Sequence, residues 1–173
     1  SHSMKKLAFI LTCLLSFGAL AQQKPIASPP AVVTQKVGST EVMIKYAQPS
    51  VKGRLVFGQK DAKPLVPFGE VWRTGANDAT TIEFSADVMI QGKPLAKGVY
   101  SLFTIPGPTE WTVIFNSDAK QWGAYTYKAE KDVLRVTGKV SENPMTEKFT
   151  ISVTSTGQIK MDWDKASVSI YVK

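Results

Sequence analysis

The chain has 173 residues, 43% hydrophobic and 20% charged, with 21 Lys and Arg against 14 Asp and Glu and a formal net charge of +7. That length suits one domain with one substantial core and leaves no room for two. A single cysteine, Cys13, and a single histidine, His2, exclude an intrachain disulfide and any zinc site built from several such ligands.

Ser1, His2 and Ser3 ahead of Met4 read as a tag remnant. Residues 4–21 have the pattern of a secretory signal peptide: Lys5 and Lys6, an apolar run interrupted only by Thr12, Ser16 and Gly18, then the small residues Ala19 and Ala21 before the expected cleavage point. The run is shorter than the roughly 20 apolar residues that span a bilayer. Thr12 ahead of Cys13 does not suit lipidation. The expectation is an exported protein, periplasmic first and outer-surface or extracellular second, with no transmembrane segment in the mature chain. Cleavage removes both Cys13 and His2 and lowers the net charge to +5 by taking Lys5 and Lys6. Thiol nucleophiles, histidine-dependent serine hydrolases and haem attachment are then excluded, so acid-base chemistry falls to Asp, Glu, Lys or Tyr.

Residues 22–36 hold Pro25, Pro29 and Pro30 close to their start and read as a flexible leader, with one domain over 37–173. From 41 the pattern has a period of two, with Val42, Ile44 and Tyr46 on one face. Residues 53–58 form a short segment between glycines, and a polar loop follows. Strands are predicted at 80–84 and at 88–95 as a hairpin with Gln91-Gly92 at its tip. A second hairpin joins 98–105 to 111–116 through the turn 106–110. Further strands are expected at 125–127, 132–141, 147–154, 159–163 and 167–172, with β-branched and aromatic residues throughout. About nine short strands without helical periodicity predict an all-β fold, an antiparallel β-sandwich of jelly-roll type, with a closed β-barrel as the alternative. Phe149, Ile151 and Val153, and likewise Val168, Ile170 and Val172, are expected to face the core, as are Phe103, Trp111 and Phe115.

The run Val66-Pro67-Phe68-Gly69-Glu70-Val71-Trp72-Arg73-Thr74-Gly75-Ala76-Asn77, with Gly53-Arg54 before it and Gly98-Val99-Tyr100-Ser101-Leu102-Phe103-Thr104-Ile105-Pro106 after it, carries a family resemblance. With Trp122-Gly123-Ala124-Tyr125 and Asp132-Val133-Leu134-Arg135-Val136, it resembles the bacterial domain-of-unknown-function family numbered 2911. The resemblance implies an exported, β-rich protein of Bacteroidetes-type bacteria and brings no catalytic residue with it.

The same run concentrates the special-purpose residues. Trp72 is expected to anchor the core and Arg73 to point the opposite way, while Gly69, Gly75, Asn77 and Asp78 favour tight turns. One reading is structural, a polar turn braced by Arg73 and Asn77. The other is a cleft lined by Arg54, Arg73, Asn77, Asp78, Trp122 and Tyr125, with Tyr127 nearby. There arginines would grip a carboxylate or sulfate, and aromatic faces would stack on sugar rings. This points to a non-catalytic binding module for a small polar or saccharide-like ligand. The alternatives are a carboxylate-dependent glycoside hydrolase or lyase using Glu70, Asp78 or Glu83, and a structural or assembly protein of the envelope. No cofactor is expected. Asp87, Asp118, Asp132, Asp162 and Asp164 lack the spacing of a calcium loop, so no metal is expected either. With Arg54, Arg73 and Arg135 as the only arginines and no basic cluster, nucleic acid is not an expected partner. Oligomeric state is not legible.

Overall fold

A computed structural model describes residues 27–173. The tag remnant, the signal-like segment with His2 and Cys13, and the first part of the expected leader lie outside the described residues. Among those described, no helix is long and apolar enough to cross a membrane.

The fold is all-β. Eleven strands run in chain order: β1 (Pro30–Val37), β2 (Thr40–Ala47), β3 (Phe57–Gly58), β4 (Val66–Pro67), β5 (Thr81–Phe84), β6 (Val88–Ile90), β7 (Lys93–Leu95), β8 (Gly98–Ile105), β9 (Glu110–Asn116), β10 (Asp132–Val153) and β11 (Gln158–Tyr171). Seven of them form one antiparallel sheet in the order β1-β2-β5-β8-β9-β10-β11. β6 and β7 make a separate hairpin, and β3 and β4 a short parallel pair.

The sheet curls because β10 serves two neighbours. Its first part, from Asp132 to Lys139, pairs with β9, and its later part, from Val140 to Val153, pairs with β11. The later part also meets the chain leaving β2: Phe149 N–H donates to Pro49 O (2.9 Å), and Val51 N–H donates to Glu147 O (2.9 Å). The hairpin β6–β7 caps the far end, where Met89 and Lys173 exchange both backbone bonds. A curled antiparallel sheet of this kind is compatible with the sandwich expected from the alternation, and with a half-barrel.

The alternation does what it predicts on the concave side. Phe149, Ile151, Val153, Val168, Ile170 and Val172 are buried there with Val42, Ile44, Ile82, Leu102 and Phe115. At the centre stands an aromatic cluster: Trp72 stacks on Trp163 (ring centroids 5.8 Å, 15° between planes) and meets Phe149 (5.0 Å), Phe57 (5.8 Å) and Trp111 (5.9 Å) edge-on or nearly so. β8 and β9 are also buried on their convex face. There Phe103 and Ile114 form a second small core with Ala79, covered by Val71, Ala124 and Tyr127. A strand apolar on both faces needs a cover on each, and here the cover is made of the Trp72 turn and the loop after β9.

Three expectations are corrected. Residues 30–36 are part of a full strand, β1, and not a leader. Ala31, Val33 and Val37 alternate onto the core and all eight β1 residues pair with β2, an interaction that Pro30 at the strand's first position does not obstruct. Residues 125–127 are not a strand but turn and loop ahead of the 3-10 turn Ala129–Lys131. The expected breaks at 142–146 and 164–166 are bulges inside continuous strands. Register shifts between Glu142 and Thr146 and between Thr146 and Thr150, together with positive φ at Asp164, take up the extra residues without ending the pairing.

Candidate functional site

The turn after Trp72 is built under strain and held by side chains. Trp72 and Thr104 exchange backbone bonds of 2.8 and 3.0 Å, which pins the turn to β8. The indole Nε1 of Trp72 donates to Gly75 O (3.2 Å). Thr74 is fully buried at φ 58°, a conformation costly for a β-branched residue. Its hydroxyl shares a bond with that of Thr104 (3.1 Å), and Thr80 Oγ1 donates to Thr74 O (2.5 Å). Gly75 sits at φ 151°, and a Cβ there would lie 2.9 Å from Ala47 O. The chain thus passes tightly beneath β2 and emerges on the convex face at Asn77, which is itself at φ 61°.

Two backbone bonds then tie this emerging segment to the loop after β9. Gly123 N–H donates to Asn77 O (3.0 Å), and Ala79 N–H donates to Gln121 O (2.8 Å). Between them Asp78 and Trp122 stand opposite each other in an isolated antiparallel bridge. With bonds on both sides and none of their own, they are a non-hydrogen-bonded pair, the type with the closer side chains. Ala79 turns inward onto Phe103, and Asp78 and Trp122 turn outward; Trp122 is 61% exposed.

The loop side of the rung is fixed by buried amides. The two N–H groups of Gln121 Nε2 have Asp118 O (2.7 Å), Asn116 Oδ1 (3.1 Å) and Ser101 Oγ (3.3 Å) as acceptors within reach, all anchored on β8 and β9 or just past them. Buried polar groups satisfied this completely hold one geometry. Trp122 therefore projects from a braced backbone.

Five of the six expected residues gather here. Around Gly123, the Tyr125 ring and Arg73 Nη1 approach from two directions, 3.1 and 3.5 Å from where a Cβ would sit. Glycine suits the position, which sits at φ 61° and where a Cβ would crowd the Tyr125 ring. Tyr125 is 84% exposed. Arg54 is committed to other groups: its Nη2 donates to Ser50 O (2.6 Å) and its Nε to Val51 O (3.0 Å), so it braces the chain that docks on β10. The six do not share one cavity. Asn77 and Asp78 border a cavity of about 480 Å³ with Ala31, Lys45 and Tyr46. Asp78 also borders a second of about 400 Å³ with Lys120 and Trp122. Arg54 and Arg73 border a third of about 290 Å³, next to Trp72 and Trp163. Asp78, Ala79 and Thr81 line both the first and the second, so the Asp78 side of the rung is the ridge between two adjoining hollows and Trp122 borders the second.

The carboxylates considered for catalysis do not share a cavity. Glu70 pairs with Lys60 (3.2 Å), Glu83 is exposed on β5, and none of these cavities is lined by two of Glu70, Asp78 and Glu83. Among the described residues, no group of three or more acidic, histidine or cysteine side chains is placed to hold a metal.

One polar cluster was not anticipated. Asp132 Oδ2 accepts from Tyr127 Oη (2.6 Å) and Arg135 Nε (2.9 Å), Arg135 Nη2 donates to Tyr127 Oη (2.9 Å), and Asn116 Nδ2 donates to Asp132 Oδ1 (2.9 Å). Burial, then the bond to Asp132, raises the Tyr127 phenol above its usual value; the bond to Asp132 raises Arg135 further. Strict alternation puts Asp132 and Arg135 on opposite faces. A register shift between Asp132 and Leu134 inserts the extra residue that brings them together. The cluster locks the Tyr127 end of the loop that carries Trp122 and Tyr125.

A family model described as a protein of unknown function (DUF2911) matches residues 28–172. The match takes in all of β1. No curated protein and no solved structure matches the chain.

Proposed function

We propose that this chain, which belongs to the DUF2911 family of proteins of unknown function, is an exported, non-catalytic binding module for a small polar, saccharide-like ligand. The observation that carries the reading is the Asp78–Trp122 rung: an exposed indole beside a carboxylate on a braced ridge between two hollows. An indole face packs against the apolar face of a sugar ring, and a carboxylate beside it accepts the ring's hydroxyls. No cavity described above is lined by two of Glu70, Asp78 and Glu83, which favours binding over glycoside hydrolysis, since that needs two carboxyls across one cleft. Export is part of the proposal through the signal-like residues 4–21.

Calorimetric titration against a panel of neutral and acidic oligosaccharides tests it. The expected result is a ligand whose binding is lost in Trp122→Ala. A panel without a hit, or a hit indifferent to Trp122, overturns the assignment.

A further inference from the structure

The three arginines differ in what their guanidinium groups hold. Arg54 is committed to the carbonyls of Ser50 and Val51, and Arg135 to Asp132 and Tyr127. Arg73 makes no side-chain hydrogen bond and no ion pair among the described residues, and its Nε is buried without a partner. Its Nη atoms are not buried in this way. A guanidinium keeps its charge at any working pH, and the Nη donors of Arg73, unlike those of Arg54 and Arg135, have no protein acceptor among the described residues and are left for a ligand. The Nη1 end lies against Gly123, beside the Tyr125 ring and one residue from Trp122.

We infer that Arg73 is the oxyanion-binding residue of this surface, and that its ligand class is an acidic saccharide whose sugar ring carries a carboxylate. The inference rests on the reading of the Asp78–Trp122 rung as a sugar-binding ridge. With Nε covered, the Nη edge is left to face a ligand, and its paired donors match the two oxygens of a planar carboxylate. Trp122 and Tyr125 supply exposed aromatic faces for the ring. Asp78 is the one carboxylate lining the two adjoining hollows, and Lys45 and Lys120 also line them. Asp78 repels the acid group and accepts hydroxyls; Arg73 lines only the third cavity and reaches the ridge through Nη1 beside Gly123, which is where the acid group would meet it. A neutral sugar leaves Arg73 unpaired, and a small dicarboxylate leaves both aromatic faces bare.

The test compares oligogalacturonate with its methyl ester, which keeps the rings and removes the charge, and with a sulfated neutral oligosaccharide, by calorimetry. The chain should bind the acid about 10- to 100-fold more tightly than the ester, the range of one charge-assisted pair. Arg73→Gln should close that gap by weakening the acid far more than the ester, and Arg73→Lys should restore part of it. Equal binding of acid and ester overturns the inference and leaves the sugar-binding reading standing. Binding of neither acid, ester nor sulfated sugar overturns both. Binding of the sulfated sugar alone overturns the carboxylate assignment. If Arg73→Gln weakens acid and ester equally, Arg73 is a brace for the loop and the inference fails. The acid-to-ester comparison uses the unsubstituted chain, so it holds even if a variant folds poorly.

Discussion

Asp78 and Trp122 form a non-hydrogen-bonded cross-strand pair, flanked on one side by the bond from Gly123 to Asn77 and on the other by the bond from Ala79 to Gln121. The backbone, not the two side chains, holds the ridge together. Trp122→Ala and Asp78→Asn should therefore change stability by no more than about 0.5 to 1 kcal/mol in urea denaturation, while each weakens saccharide binding about tenfold or more. A large loss of stability in either variant contradicts the division of labour between backbone and side chain.

Trp72 has the opposite profile. It contacts Phe57, Trp111, Phe149 and Trp163 in the central cluster, so Trp72→Ala leaves a cavity the surroundings cannot fill. The expected cost is about 3 to 5 kcal/mol by chemical denaturation. Trp72→Phe should cost less, because most of the ring contact survives and the lost bond is the one from Nε1 to Gly75.

Gly75→Ala tests the passage beneath β2. The added methyl meets Ala47 O at 2.9 Å in a backbone conformation that L-residues avoid. About 1 to 3 kcal/mol of destabilisation is expected, with weaker saccharide binding as the turn shifts the Asp78 end of the ridge. Thermal denaturation and calorimetry on the same variant separate the two effects.

High pH should weaken the fold through buried phenols. Burial raises the Tyr46 phenol above its usual value of 10.0, with smaller opposing effects from Ile151 and Gln48. Tyr100 and Tyr127 are raised as well. Below pH 10 these groups are protonated in both states and do not contribute to a slope. As pH rises through 10 the unfolded chain ionises first, so it binds fewer protons than the native one and stability falls. Urea denaturation between pH 9 and 11 should show this decline, and Tyr46→Phe should reduce its slope. The same variant loses stability at neutral pH, because Ile151 N–H loses its acceptor, Tyr46 Oη at 3.0 Å.

Deleting residues 27–37 should abolish stable folding. That removal takes away the eight backbone pairs of β1 with β2 and uncovers Val42, Ile44 and their neighbours. Circular dichroism checks it; a cooperative melt in the shortened chain contradicts the placement of β1.

The strands most legible in the sequence were those with one wet face. In β2 and in the 147–153 part of β10, apolar and polar residues alternate and the core side follows at once. Trp72 as an anchor was legible for the same reason. β1 was not, because prolines crowd its start and its neighbour in the sheet makes the strand. The Asp132–Arg135 contact was hidden by a bulge, since a one-residue shift reverses every later side chain. Arg54 was grouped with the site as an arginine able to grip a carboxylate or sulfate, yet the carbonyls of Ser50 and Val51 that occupy it are set by the chain's turn toward β10. Asp78 and Trp122 are 44 positions apart, and only the cover demanded by the convex face of β8 and β9 brings them level.

The bond from Ile151 to Tyr46 joins positions 105 residues apart, and Phe149 bonds Pro49 across nearly the same span. These contacts sit where the curled sheet meets itself, so the first third of the chain cannot complete its hydrogen bonds until β10 has arrived. Pairings between such distant parts of the chain form slowly, and all-β folds built on them fold on the millisecond-to-second scale. A ribosome that has released only residues up to 130 holds a chain whose β2, though already made, still shows bare Val42, Ile44 and Tyr46 to whatever meets it.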